Sequence, residues 1–117
     1  MTRVLPLCLL LLAGCESSPY AVSNAIRFAY PSLGFAGAYT RQLTVDDVRQ
    51  IVELARSNRT IIKPVQQIIV NKPGEAEVSS GPWETGKLGT TFEVRKESGR
   101  WIIVPGSINT GESIITS

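Results

Sequence analysis

Histidine is absent from this chain of 117 residues, and cysteine occurs only twice, as Cys8 and Cys15. The lack of histidine excludes the Ser-His-Asp and Cys-His catalytic arrangements and removes the commonest zinc ligand. A strong charge imbalance is also missing, because 12 basic residues oppose 10 acidic ones and leave a net charge of +2. This balance gives little long-range field to attract nucleic acid, so we expect no nucleic-acid partner.

No apolar run in the sequence is long enough to cross a membrane. The longest run covers residues 4–12 and would be about 14 Å long as a helix, against about 30 Å for the hydrocarbon core of a bilayer. Arg3 precedes this run, and the small residues Ala13 and Gly14 follow it. That order is typical of a secretory signal, so residues 1–14 are predicted to be a signal peptide.

The string Leu12-Ala13-Gly14-Cys15 resembles the lipobox of bacterial lipoproteins. The resemblance implies cleavage between Gly14 and Cys15, after a diacylglyceryl group is attached to the Cys15 thiol, and acylation of the new amino terminus. Several acyl chains hold a protein at a membrane far better than one chain does. Glu16, where inner-membrane lipoproteins usually carry Asp, favours the outer membrane of a Gram-negative cell. The alternative is an ordinary signal peptide with a chance cysteine.

The mature chain is predicted to hold no disulfide. Cys8 is removed with the signal peptide and Cys15 carries lipid, so core packing alone must stabilise the domain. Residues 15–19 are the lipidated cysteine and a short tether. Residues 20–40, rich in Ala, Gly and aromatic residues, follow no clean period, and residues 25–30 fit either a short strand or a helical turn.

Residues 45–57 are predicted to form an amphipathic helix. Thr44 and Asp47 resemble a capping box, and the adjacent Asp46 and Asp47 favour the positive end of the helix dipole. Two consecutive helical carboxylates point about 100° apart, so they do not form an acid–base pair. Asn58 is expected to take the left-handed cap position at the other end.

Four strands are predicted after the helix, at residues 61–70, 76–80, 90–96 and 101–104, where β-branched and aromatic residues are common. The short connections between them suit antiparallel neighbours. Alternation directs Thr90, Phe92 and Val94 inward and directs the residues between them to water. The predicted fold class is α+β, with one amphipathic helix packed on a curved antiparallel four-stranded sheet over residues 41–106, followed by a tail at 107–117.

A helix followed by hairpin-linked strands, ending in Gly99-Arg100-Trp101-Ile102, resembles the cystatin-like and nuclear-transport-factor-2-like folds. The cystatin-like description fits the chain's size better. The Gln-x-Val-x-Gly motif of inhibitory cystatins is absent, so the resemblance implies a fold and no activity.

Residues 81–88 resemble the motif of a phosphate-binding loop, but Leu88 replaces the Ser or Thr that would hold magnesium. A strand pattern follows where such a loop needs a helix, and Pro82 and Trp83 would crowd a phosphate. A plain hairpin loop is therefore predicted, with no nucleotide, cofactor or metal.

Two tryptophans have different expected roles. Trp101 alternates with Ile103 and is expected in the core. Trp83 lies in a loop and is a candidate for contact with a partner protein, although it could instead fold back over a sheet edge.

These features predict a non-enzymatic envelope protein, held by lipid on Cys15, that binds another protein at the periplasmic face. The alternative is a small-molecule-binding domain or pocket enzyme of the nuclear-transport-factor-2-like kind, which requires an open cavity of about 300 Å³ or more. A third possibility is a spacer or cap in an envelope assembly.

Overall fold

The computed structural model describes residues 22–82, 84 and 86–112. Within them the chain forms two helices, one 3-10 turn and six strands. In chain order these elements are α1 (Asn24–Ala29), β1 (Gly34–Ala36), the 3-10 turn (Thr40–Gln42), α2 (Val45–Ser57), β2 (Val65–Lys72), β3 (Glu75–Ser80), β4 (Leu88–Glu97), β5 (Arg100–Ile103) and β6 (Asn109–Glu112).

The fold is mostly sheet, and the predicted architecture of one helix on a four-stranded antiparallel sheet is wrong. The described strands form a single six-stranded sheet in the order β1-β2-β3-β4-β5, with β6 also paired to β4. β1 runs parallel to β2, which makes the sheet mixed, while every other pairing is antiparallel. The four predicted strands correspond to β2 to β5, although the first begins at Val65 instead of residue 61, and β1 and β6 extend the sheet beyond them.

The two unpredicted strands lie in residues 20–40 and 107–117. Within the first segment, residues 25–30 fitted either a short strand or a helical turn, and the structure shows the helix α1 there. β1 has only three residues, and β6 has the sequence Asn-Thr-Gly-Glu, which is poor in strand-forming residues. Each forms a strand because it pairs with the edge of a longer strand, β1 with β2 and β6 with β4. The sheet therefore extends beyond residues 41–106 at both ends.

β5 and β6 lie along the same edge of β4. Residues 94–97 of β4 pair with β5, and residues 88–91 pair with β6. The ten-residue β4 thus pairs with a single strand, β3, on one side. On the other side it pairs with two separate strands, β5 and β6. The interruption is the five-residue segment 104–108.

α2 has the bounds that the sequence predicts, and its capping box is present. The backbone N–H of Asp47 donates to Thr44 Oγ1 over 3.0 Å, and the backbone N–H of Thr44 donates to Asp47 Oδ2 over 2.9 Å. The prediction for Asn58 is wrong, because this residue has extended backbone angles. Its side chain instead accepts a hydrogen bond from the backbone N–H of Thr60.

The core lies between α2 and one face of the sheet, called here the inner face. Phe92 is 1% exposed, and Thr90, Val94 and Trp101 are buried beside it, which confirms the predicted alternation and the core position of Trp101. The other buried apolar residues include Ile26 of α1, Val48, Ile51 and Ala55 of α2, and Ile68, Val70, Ala76 and Val78 of the sheet.

Gly37 allows the chain to cross β2 on its way from β1 to α2. A Cβ atom there would lie 2.3 Å from the carbonyl oxygen of Val70, and the residue has a φ of +102°. The nearby backbone N–H of Tyr39 donates to the same oxygen over 2.9 Å. Only glycine fits this close approach without moving the backbone.

Candidate functional site: the outer face of the sheet

The face of the sheet opposite α2 is open to solvent in the described residues. Apart from the buried Ser79, its side chains are exposed or half-buried. They alternate with the core residues along each strand, as a sheet with one covered face requires. This outer face is formed by Gln67, Ile69 and Lys72 of β2, Glu75, Glu77 and Ser79 of β3, Thr91, Glu93, Arg95 and Glu97 of β4, and Arg100 and Ile102 of β5.

Two glutamates stand directly opposite each other at the centre of the outer face. Glu77 of β3 pairs with Glu93 of β4 in the register of the sheet, and both are exposed. Within the described residues, neither carboxylate lies within ion-pair distance of a cation. Like charges in this position destabilise a sheet, so folding alone does not account for the pair.

The rest of the outer face only partly offsets this charge. Glu75 stands opposite Arg95, and Arg95 forms an ion pair of 2.8 Å with Glu97. Glu97 in turn stands opposite Arg100. Lys72 of β2 stands opposite Glu75 on its other side. The outer face thus carries four glutamates against two arginines and one lysine, an acidic excess of one charge, although the whole chain has a net charge of +2.

A groove of about 330 Å³ runs across this acidic surface. Ile69 and Val104 supply apolar side chains. The charged side chains come from three glutamates and two basic residues: Glu75, Glu77, Glu93, Lys72 and Arg95. The volume falls within the usual range of about 300–1,000 Å³ for small-ligand sites. The groove lies on the solvent side of the sheet, on the opposite side from the core under α2.

The interruption between β5 and β6 positions one wall of the groove. The backbone N–H of Val104 donates to Glu93 O over 2.8 Å, and the backbone N–H of Glu93 donates to Ser107 Oγ over 3.0 Å. Ser107 Oγ also donates to Val104 O over 2.7 Å. These bonds hold the irregular segment against β4 and keep Val104 beside the groove.

A second polar cluster lies on the inner face, around Asp47. Its Oδ1 atom accepts hydrogen bonds from Trp101 Nε1 and from Lys96 Nζ, both over 2.9 Å. Gln50, one turn along α2, accepts from the backbone N–H of Trp101 over 2.9 Å. The Asp47 side chain is only 7% exposed and accepts hydrogen bonds at both oxygens, so the cluster joins α2 to β4 and β5.

The surroundings of Asp47 favour its charged form. Burial raises the pKa of the carboxyl, but hydrogen bonds from Trp101, from the backbone of Thr44 and from Lys96 outweigh burial and hold the pKa below its ordinary value. The neighbouring Asp46 has different partners, Arg49 and Gln50, so the two consecutive carboxylates do not converge. This agrees with the predicted helix-capping role of the pair.

The site residues predicted from the sequence, Gly14, Cys15 and Trp83, lie outside the described residues. Pro82 and Glu84, the neighbours of Trp83, are exposed. β4 begins at Leu88, where a phosphate-binding loop would need a helix, and this agrees with the predicted hairpin loop. The described residues contain no group of three acidic, cysteine or histidine side chains that could hold a metal ion.

The sequence did not reveal the paired glutamates of the outer face. Glu75 and Glu77 alternate with Ala76 and Val78, which marks them as outward-facing, and Glu93 was already predicted to face water. Placing Glu77 opposite Glu93 requires the register of β3 against β4, which alternation within each strand does not determine. The sequence thus predicts that these glutamates face outward, but it does not predict that Glu77 and Glu93 stand opposite each other.

Comparisons with known proteins give no relative for this chain. No family model, curated protein or solved structure matches it significantly. Within the part of the chain that the structure describes, no helix is both long and apolar enough to span a membrane.

Proposed function

We propose that this protein is a small, non-enzymatic lipoprotein of the bacterial envelope that binds another protein through the outer face of its sheet. Lipid on Cys15 holds it at the membrane, and the outer membrane is the favoured location. The string Leu12-Ala13-Gly14-Cys15 supports the anchor. The opposed carboxylates of Glu77 and Glu93 carry the proposal of a binding face.

The chemistry of the outer face defines the kind of partner. Four glutamates outnumber the three basic residues there, and Ile69 and Val104 add apolar area within the groove. A protein surface with basic side chains around an apolar one would neutralise the paired carboxylates and bury the apolar groups. Such complementarity contributes mainly to specificity and to the rate of association.

Crosslinking in cells tests the binding face. A photoreactive amino acid at Ile69 should capture a defined protein, whereas the same group at Arg56, exposed on α2, should not. Glu77→Lys should abolish this capture, and Glu53→Lys, the same charge reversal on α2, should leave it intact. Equal capture from Ile69 and Arg56, or capture that Glu77→Lys does not change, would contradict the proposal.

Trp83 is proposed as a second contact with the same partner. Trp83→Ala should then retain the melting temperature of the protein and weaken the capture from Ile69. A fall of several degrees in melting temperature would indicate instead that Trp83 covers an edge of the sheet.

A small molecule in the groove is the second candidate, favoured by the volume of about 330 Å³. Native mass spectrometry of the protein purified from its own cells distinguishes the two. A bound small molecule that Glu77→Lys removes would support this candidate, while co-purification of a protein would support the first.

A further inference from the structure

We infer that α1 lies against the membrane surface, with Phe28 among the lipid headgroups and Arg27 beside their phosphates. This inference rests on the proposed lipid anchor at Cys15. It adds a second, non-covalent contact with the bilayer, made by the folded domain, and it gives the domain a defined orientation.

Phe28 is the first observation. Its side chain is 91% exposed, the largest exposed fraction among the large apolar side chains of the described residues. On the same short helix, Ile26 is fully buried and attaches α1 to the core. A single exposed apolar residue is ordinary on a protein surface, so Phe28 needs support from its surroundings.

That support comes first from a cleft that Arg27, the residue before Phe28, helps to line. The cleft has a volume of about 360 Å³ and opens beside Arg27. Its walls include Val22, Tyr30 and Leu33, together with Phe35 of β1. Phe28 and the walls of this cleft thus provide apolar and aromatic groups on and beside α1. Phenylalanine and tyrosine side chains favour the interface between headgroups and acyl chains.

The charge of this part of the chain fits a lipid surface. From Ser17 to Val45 the only charged residues are Arg27 and Arg41, and the first acidic residue after them is Asp46. Anionic lipid headgroups attract basic residues near a membrane, at about 1 kcal/mol for each residue close to the surface. The four glutamates of the outer face lie on the opposite face of the sheet from the core into which Ile26 packs. Asp46 and Glu53 are exposed on α2, where each forms an ion pair with an arginine.

The length of the chain between the anchor and the domain provides the fourth observation. Six residues lie between Cys15 and Val22, so at full extension the seven steps of this tether span at most about 25 Å. β4 alone, with ten residues, is about 33 Å long. The tether is thus shorter than the domain's longest strand, and α1, which begins at Asn24, is held near the bilayer at a high effective concentration.

Site-directed spin labelling of the full lipidated protein tests this orientation. The predicted mature chain has no cysteine other than the acylated Cys15, so Ala29→Cys on α1 and Lys72→Cys at the end of β2 can each be labelled alone. The protein is reconstituted into vesicles of phosphatidylethanolamine and phosphatidylglycerol. Accessibility of each label to oxygen and to a water-soluble nickel complex then reports its depth.

The expected result is a label at Ala29 that oxygen reaches and the nickel complex does not, and a label at Lys72 with the opposite behaviour. Phe28→Ser should make the Ala29 label accessible to nickel. Leu88→Ser, which removes another exposed apolar side chain, should leave it protected. Retained protection in the Phe28→Ser variant would overturn the role of Phe28.

Two further results separate this inference from the anchor on which it rests. Protein that floats with vesicles but carries a nickel-accessible Ala29 label would overturn the orientation and leave the anchor intact. Protein that does not float at all would overturn the anchor itself. A label shielded from both reagents would show that protein covers α1, and this too would overturn the inference.

Discussion

The carboxylates on the inner and outer faces of the sheet have opposite surroundings. On the inner face, Asp47 is almost fully buried, and hydrogen bonds reach both of its oxygens. On the outer face, Glu77 and Glu93 stand opposite each other without a cation in ion-pair distance among the described residues. The inner arrangement stabilises the fold, whereas the outer one costs stability. The outer face is therefore where a function outside folding is to be sought.

Substitutions at adjacent residues of β4 should show the largest difference in free energy of unfolding between the two faces. Phe92→Ala removes a core side chain that is 1% exposed and should lower the free energy of unfolding by about 3–5 kcal/mol. Glu93→Ala, one residue away on the outer face, should not lower it. Chemical denaturation of both variants measures the difference. Similar losses in both would show that the outer face is also part of the core.

The capping residues of α2 provide a second contrast, between neighbouring carboxylates. Asp47→Asn places an amide group where Thr44, Lys96 and Trp101 donate, and should lower the free energy of unfolding by about 1–3 kcal/mol. Asp46→Asn changes an exposed residue and should have a much smaller effect. Equal effects in denaturation experiments would contradict the structural role of the inner cluster.

The pH dependence of stability follows from the lowered pKa of Asp47. Because its pKa is lower in the folded protein than in the unfolded chain, this residue contributes stability above about pH 4. The contribution should disappear as the pH falls from there through the lower folded pKa. Denaturation measured from pH 7 to pH 2 should show that Asp47→Asn loses less free energy of unfolding on acidification than the wild-type protein does. If both proteins lose the same free energy of unfolding on acidification, Asp47 does not contribute to the pH dependence of stability.

The smallest predicted effect has the opposite sign. Glu93→Gln relieves the repulsion from Glu77 and should raise the free energy of unfolding by about 0.2–1 kcal/mol. The same change should weaken capture of the partner from Ile69. Gain of stability with loss of binding would identify the pair as functional, whereas lower stability would show that Glu93 has a structural role.

The parts of the fold that sequence could predict depend on local patterns. α2 follows from the spacing of its apolar residues and from the capping pair Thr44 and Asp47. The inward direction of Phe92 follows from alternation along β4. β1 and β6 depend on pairing with β2 and β4, contacts that their own short sequences do not encode. For the same reason the outward direction of the outer-face glutamates was readable from sequence, but the opposition of Glu77 and Glu93 was not.

The central proposal is that this protein is anchored by lipid on Cys15, and mass spectrometry of the protein isolated from its own membranes tests it most directly. The account predicts a chain that begins at Cys15, with a diacylglyceryl group on the sulfur and an acyl group on the amino terminus. A chain that still carries residues 1–14, or that has an unmodified sulfur at Cys15, would contradict it.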